Sequence, residues 1–250
     1  MSSEGSQLAE DVVPWTEFTQ AYYDANYFAS RTGKLFVSRG KPEYWGYKNP
    51  DGEYFGAPPI AKAWKTVFEP KRVLDVGCGR GTFVAYLRDW GVEAHGFDYS
   101  EWAVGHLYGR CRPEWVRVHD ATEPWPYPDS SFDLVTALDF FEHIYEEDLE
   151  FVIGELLRVS RRWIFLQMAT VDGVTERGYA LRRGERIPFE DGRTWAGHVT
   201  VQTPAYWMER FDRDPLSIRR DLVNWFCSLV PKDVLSNWAK NTMLVYERRW

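Results

Sequence analysis

Residues 73–83 read VLDVGCGRGTF, an apolar run that stops at glycines on alternate positions, Gly77, Gly79 and Gly81. RVLDVG (72–77) has the pattern of a buried strand. TFVAYLRDWG carries Phe83, Leu87 and Trp90 at helical spacing, with Gly91 placed to end the helix. A strand that passes through bare backbone into a helix is where open α/β sheets bind ligands, because glycine lets a ligand approach the main chain. The stretch departs from the dinucleotide fingerprint G-x-G-x-x-G, whose third glycine would fall on Thr82. With no second fingerprint elsewhere, the pattern argues against a nicotinamide dehydrogenase.

The alternation continues downstream. VEAHGFD (92–98) reads as a second strand, and Ser100 can cap a short helix to about Tyr108. WVRVHD (115–120) is a third strand, FDLVTALDF (132–140) a fourth and RRWIFLQMAT (161–170) a fifth. Between the last two, DLEFVIGELLRVS places Leu149, Val152, Ile153 and Leu156 on one helical face. This order predicts an α/β fold with a mostly parallel, Rossmann-like sheet and helices on both faces. Thr203-Pro204 reads as an N-cap followed by proline at the first helical position, opening a helix to about Phe211. RDLVNWFCSLV reads as a further helix and NTMLVYER as a last strand. The expected organisation is a disordered tail (1–12), an aromatic-rich N-terminal cap (13–56) and a main domain (57–250) with a polar, Arg-rich insertion at 171–202.

Composition bounds the function. The chain has 250 residues, 44% of them hydrophobic, enough for one well-buried domain and a small appendage. A formal charge of -7 and a pI near 5.4 argue against a general nucleic-acid or anionic-membrane binder. Cys78, Cys111 and Cys227 are an odd, scattered set that suggests a reducing compartment. MSSEGSQLAEDVV lacks a basic segment followed by an apolar one, and no apolar run reaches membrane-spanning length, so a soluble cytoplasmic protein is expected.

Asp75, Asp98, Asp120 and Asp139 each fall at the end of one of the first four strands. A single aspartate there is most simply a turn or helix cap. Four of them, beside the glycines, read instead as one ligand-binding edge; Asp98, 23 residues after Asp75, is placed to accept from two ribose hydroxyls.

VLDVGCGRGTF, HGFDYS, HDATEPWPYPDSSFDLV and LDFFEHI, in this order and spacing, resemble the class I S-adenosylmethionine-dependent methyltransferases over about residues 71–170. The resemblance implies a seven-stranded sheet with an antiparallel last strand; the sixth, around Leu216 to Arg220, is poorly marked. It also implies that S-adenosylmethionine is the cofactor. Asp75 and the loop Gly77–Cys78–Gly79 would hold its amino-acid end. Asp98 would hold its ribose with Tyr99 beside the adenine, and Asp120 the adenine amino group, with Ala121 supporting through its backbone.

The sulfonium methyl is already activated, so the protein must align an acceptor atom and, for an oxygen acceptor, supply a base. The candidates are His198 in WAGHVTVQTP, His143 after Glu142 in DFFEHI, and Asp139. His95 and His119 read as structural and His106 as a helix-surface residue. Asp139-x-x-Glu142-His143 with His198 also resembles the E-x-x-E-H metal pattern of methyltransferases acting on ubiquinone precursors or RNA 3′ ends. The plain Glu-His motif occurs in many metal-free relatives, and the metal-free reading is preferred. Arg182, Arg183, Arg186 and Arg193 could clamp an anion, although Glu185, Glu190 and Asp191 interrupt them. Tyr44, Trp45, Tyr47, Tyr54 and Phe55 of the cap could close over cofactor and acceptor. The expected activity is O-methylation of a small-molecule or sugar hydroxyl, with no membrane or nucleic-acid partner. The alternatives are a metal-assisted enzyme acting on RNA or a quinone precursor, and a non-catalytic cofactor-binding protein.

Overall fold

The structure, a computed structural model, describes residues 18–29, 37–38, 41–42, 53–185, 197–236 and 241–249. The tail, Tyr44, Trp45, Tyr47, Arg186, Glu190, Asp191 and Arg193 lie outside them. The N-terminal part supplies α1 (Ala25–Ala29) and the paired two-residue strands β1 (Val37–Ser38) and β2 (Lys41–Pro42). Then follow α2 (Ala57–Phe68), β3 (Arg72–Val76), α3 (Thr82–Asp89), β4 (Glu93–Asp98), α4 (Glu101–Gly105), β5 (Val116–Val118) and β6 (Phe132–Leu138). After these come α5 (Leu149–Val159), β7 (Ser160–Ala169), β8 (Tyr179–Ala180), β9 (Thr200–Val201), α6 (Pro204–Phe211) and β10 (Leu216–Ile218). The last elements are α7 (Arg220–Leu229), α8 (Lys232–Leu235) and β11 (Asn241–Arg248).

The main sheet has seven strands in the order β10-β11-β7-β6-β3-β4-β5. β11 runs antiparallel to both of its neighbours, so it alone is reversed. Side chains alternate across β3 as the pleat requires. Val73 packs into the layer containing α2, α3 and α7, and Leu74 and Val76 into the layer containing α5 and α6. Burial on two faces explains why the strands read as unbroken apolar runs. On α5 the predicted stripe Leu149, Val152, Ile153 and Leu156 has no exposure. Thr203 caps α6 through its side chain, which accepts from the Tyr206 N–H.

Three elements differ from the sequence reading. The helix capped by Ser100 ends at Gly105, where His106 leaves helical geometry. The third strand shortens to Val116–Val118, because Pro113 opens a 3-10 turn at Pro113–Trp115. The insertion is not wholly irregular, since β8 pairs antiparallel with β9. The poorly marked sixth strand exists as β10. Among the described residues no helix is long and apolar enough to cross a membrane.

Candidate functional site

The spatial order β6-β3-β4-β5 lines up Asp139, Asp75, Asp98 and Asp120 along the carboxyl edge of the sheet. Asp75 sits inside β3 and Asp98 ends β4, while Asp139 directly follows β6 and Asp120 lies two residues beyond β5. Gly77, Gly79 and Gly81 all have positive φ, at 69°, 52° and 72°. A Cβ on Gly77 would meet the Phe140 ring at 2.8 Å, and one on Gly81 the Cys111 sulfur at 2.5 Å. The alternate glycines therefore answer to a left-handed turn with close neighbours, which other residues would strain.

Asp75 is 3% exposed. Its Oδ1 accepts from Thr136 Oγ1 at 2.7 Å, while Oδ2 is buried with no partner. Burial pushes its carboxyl up to about 7, against the lowering effect of Thr136. Asp98 Oδ2 accepts from the Gly79 N–H and Oδ1 from the Ser100 N–H, both at 2.8 Å. It thereby ties the glycine loop to the start of α4. Asp120 Oδ1 accepts from the Thr122 N–H at 2.9 Å and from Thr122 Oγ1 at 2.8 Å, the turn-capping arrangement expected of a lone aspartate. Ala121 is buried, and its carbonyl accepts from Trp125 Nε1. The Tyr99 carbonyl accepts from Gln20 Nε2 at 3.0 Å.

On the other side of the glycine loop, Asp139 has φ 46°. Its Oδ1 accepts from Gln167 Nε2 at 2.9 Å and its Oδ2 from the Tyr54 hydroxyl at 3.1 Å. Tyr54 is thus one described cap residue that reaches the site. Glu142 is fully buried. Its Oε1 accepts from the Ala169 N–H at 2.9 Å, and Oε2 has no partner. Burial, then the Asp139 charge, lifts its carboxyl to about 8. The Glu142 carbonyl accepts from the Val199 N–H at 2.7 Å, which brings the insertion onto this loop.

That docking places the His143 and His198 rings edge to face, 4.9 Å apart. Burial lowers His143 to about 4 and, with the neighbouring His143, lowers His198 too, so both are neutral at physiological pH. His143 Nδ1 lies 3.3 Å from both the Tyr23 hydroxyl and the Gly197 carbonyl. Residues 55 positions apart in sequence thus share one site. The other histidines lie apart from it: His95 is beside Glu93 and Arg88, His106 stacks on Trp102, and the His119 ring packs on Phe97.

Three of the four carboxylate oxygens in the metal-like pattern already accept from protein donors, and Glu142 Oε2 does not. Asp139 uses both carboxylate oxygens on Gln167 and Tyr54, and Glu142 Oε1 is committed to the main chain. Among the described residues no three His, Cys, Asp or Glu side chains gather as around an ion. The anion clamp is likewise not formed by the described arginines. Arg183 pairs with Glu147 at 3.2 Å and Asp148 at 2.7 Å, and Arg182 lies 3.8 Å from Glu146.

Three residues at this site escaped the sequence reading: Gln167, Thr136 and Tyr23. A glutamine inside the apolar run IFLQMA was a usable signal for the first. Neither Thr136 nor Tyr23 carries one, since each is defined by a partner distant in sequence.

Residues 50–217 match the family described as a methyltransferase domain. Norajmaline N-methyltransferase of Rauvolfia serpentina is 33% identical over 99 residues, covering 37% of this chain and 33% of that protein. The ubiquinone biosynthesis O-methyltransferase of Azoarcus sp. (strain BH72) is 36% identical over 83 residues, covering 30% of this chain and 34% of that one. The chain therefore spans about a third of the length of these curated relatives. The solved PH0226 protein from Pyrococcus horikoshii OT3 has the same fold, with a TM-score of 0.53 at 17% identity, over 93% of this chain and 100% of that one. With the family match extending over more than half of the sequence and the sheet order in agreement, the chain belongs to the methyltransferase-domain family of class I S-adenosylmethionine-dependent methyltransferases.

Proposed function

We propose that this protein transfers the methyl group of S-adenosylmethionine to an oxygen of a small-molecule or sugar acceptor in the cytoplasm. The observation that carries the cofactor half is the pairing of Asp98 with the glycine loop beside Asp75 Oδ2, a buried acceptor without a donor. A buried unpaired carboxylate oxygen is costly, and a ligand ammonium is the kind of group that would offset it. Asp75 and the main chain of Gly77, Cys78 and Gly79 would hold the amino-acid end. Asp98 would take the ribose hydroxyls, and Tyr99, Asp120 and Ala121 would border the adenine. The bound cofactor supplies an activated methyl group; the chain's own task is to place the acceptor and remove its proton.

His198 and His143 are the proton acceptors of this reading, with Asp139 beside them. Their neutrality supports it, because a neutral imidazole has a lone pair to offer. The metal-assisted alternative is disfavoured by the protein donors on both Asp139 oxygens and on Glu142 Oε1. Calorimetric titration with S-adenosylmethionine and S-adenosylhomocysteine tests the cofactor half: binding of both is expected, and no heat from either with folded protein would end the reading. Formation of S-adenosylhomocysteine over a panel of hydroxyl and amine acceptors tests the other half, and turnover on amines alone would replace the oxygen acceptor.

A further inference from the structure

One residue of the N-terminal segment holds both halves of the site through two different groups. Ser100 Oγ donates to the main-chain carbonyl of Tyr23 at 2.5 Å, while the Tyr23 phenol lies 3.3 Å from His143 Nδ1. Ser100 also donates its N–H to Asp98 Oδ1, and Asp98 Oδ2 accepts from the Gly79 N–H. Hydrogen bonds thus lead from Gly79 through Asp98 and Ser100 to the Tyr23 carbonyl, and the Tyr23 side chain carries the connection on to His143. Gln20, donating to the Tyr99 carbonyl, gives the same segment a second hold on the end of β4.

At its far end this chain meets the His143 ring beside the Gly197 carbonyl. His143 Nδ1 faces the Gly197 carbonyl, which can only accept, an arrangement that favours a proton on Nδ1 and a lone pair on Nε2. The Tyr23 oxygen shares that proton. The Tyr23 ring is wedged by Tyr22 at 5.1 Å and Tyr27 at 4.9 Å, which leaves the phenol little freedom. Burial holds the phenol far above its ordinary ionisation range, so it stays neutral.

Resting on the methyltransferase reading, we propose that Tyr23 is a positioning residue that links the cofactor side of the site to the acceptor side. It holds the His143 ring with Nε2 free and transmits to that ring any change at Asp98 and Ser100. Linkage of this kind requires measured coupling, since adjacency alone does not demonstrate it.

The test uses the whole chain with isotope-labelled backbone and histidine rings, titrated with S-adenosylhomocysteine and followed by NMR. The His143 ring signals are assigned by their loss in His143→Gln. In the wild type, the ligand is expected to move the Gly79 and Ser100 amides and the His143 ring nitrogens together. Tyr23→Phe keeps the carbonyl that Ser100 uses and removes only the phenol hydroxyl. Its ligand affinity should stay within about threefold of wild type, while the His143 response shrinks roughly fivefold or more, as for loss of one hydrogen bond. A full His143 response in Tyr23→Phe, or a wild type in which Ser100 responds and His143 does not, overturns the linkage alone. A folded protein in which neither responds overturns the methyltransferase reading and the linkage with it.

Discussion

Asp139 and Gln167 bond to each other in both directions across the ends of β6 and β7. The Asp139 N–H donates to Gln167 Oε1 at 3.0 Å, and Gln167 Nε2 donates to Asp139 Oδ1 at 2.9 Å. Gln167 has no exposure, so its amide has no water to fall back on. Gln167→Ala should cost about 2–4 kcal/mol of stability through the cavity and the lost donor to Asp139 Oδ1. Methyl transfer should fall further than folding does, because the carboxylate loses its fixed position. Denaturant unfolding and turnover of the same preparation would check both; a stability change under ~1 kcal/mol would show that the pair contributes little.

Two glycines with similar backbone separate strain from crowding. Gly81 (φ 72°) and Gly91 (φ 81°) are both left-handed, but a Cβ on Gly81 strikes Cys111 while one on Gly91 meets nothing within 4 Å. Gly91→Ala should cost about 1–2 kcal/mol from conformation alone. Gly81→Ala should cost more, and Cys111→Ala in that background should return part of the excess. Equal losses for the two glycines, read from urea midpoints, would remove the crowding argument.

Stability should fall as pH rises from about 6.5 to 8. Asp75 and Glu142 have folded pKa values of about 7 and about 8, above their unfolded values of 3.8 and 4.5. In that window the folded state keeps protons the unfolded state has lost, so the slope of unfolding free energy with pH is negative, up to ~1.4 kcal/mol per pH unit for each proton. His143, depressed from 6.5 to about 4, acts in the opposite sense between those two values, where the unfolded state binds the extra proton. Glu142→Gln should flatten the alkaline fall, as thermal denaturation across the range would reveal. An unchanged slope would mean that Glu142 is ionised in the folded protein.

Asp98→Asn should weaken S-adenosylhomocysteine binding by roughly 10- to 100-fold if the carboxylate takes ribose hydroxyls. A stability loss of about 1 kcal/mol should accompany it, since the same oxygens accept from Gly79 and Ser100. Calorimetry gives the first quantity and thermal unfolding the second. A dissociation constant within twofold of wild type would put the ribose elsewhere.

Activity should survive a chelator, because both Asp139 oxygens and Glu142 Oε1 already accept from protein donors. Abolition by chelator, with recovery on adding a divalent ion, would reverse that conclusion.

The parts legible in the sequence were those encoded locally. VLDVGCGRGTF announced a strand, a glycine loop and a helix because apolar runs and glycines act over a few residues. Thr203-Pro204 announced the start of α6 for the same reason. β8 and β9, at two residues each, are too short to show a period. The row of aspartates along the sheet edge was legible, because each strand end carries its own. Long-range pairs such as Asp139 with Gln167 and Thr136 with Asp75 were not legible, because no spacing rule encodes them. Arg182 and Arg183 pair instead with Glu146 to Asp148, just before α5 and outside the segment that suggested a clamp.

The reversed strand β11 has a consequence for how the chain is made. It lies between β7 and β10, so residues 241–248 fill a slot between two strands that leave the ribosome before them. Until those residues emerge, β7 keeps one edge of unanswered N–H and C=O groups, the kind of edge that recruits foreign strands. The nascent protein is therefore most exposed to mispairing just before synthesis reaches β11, when a chaperone covering the β7 edge would help most.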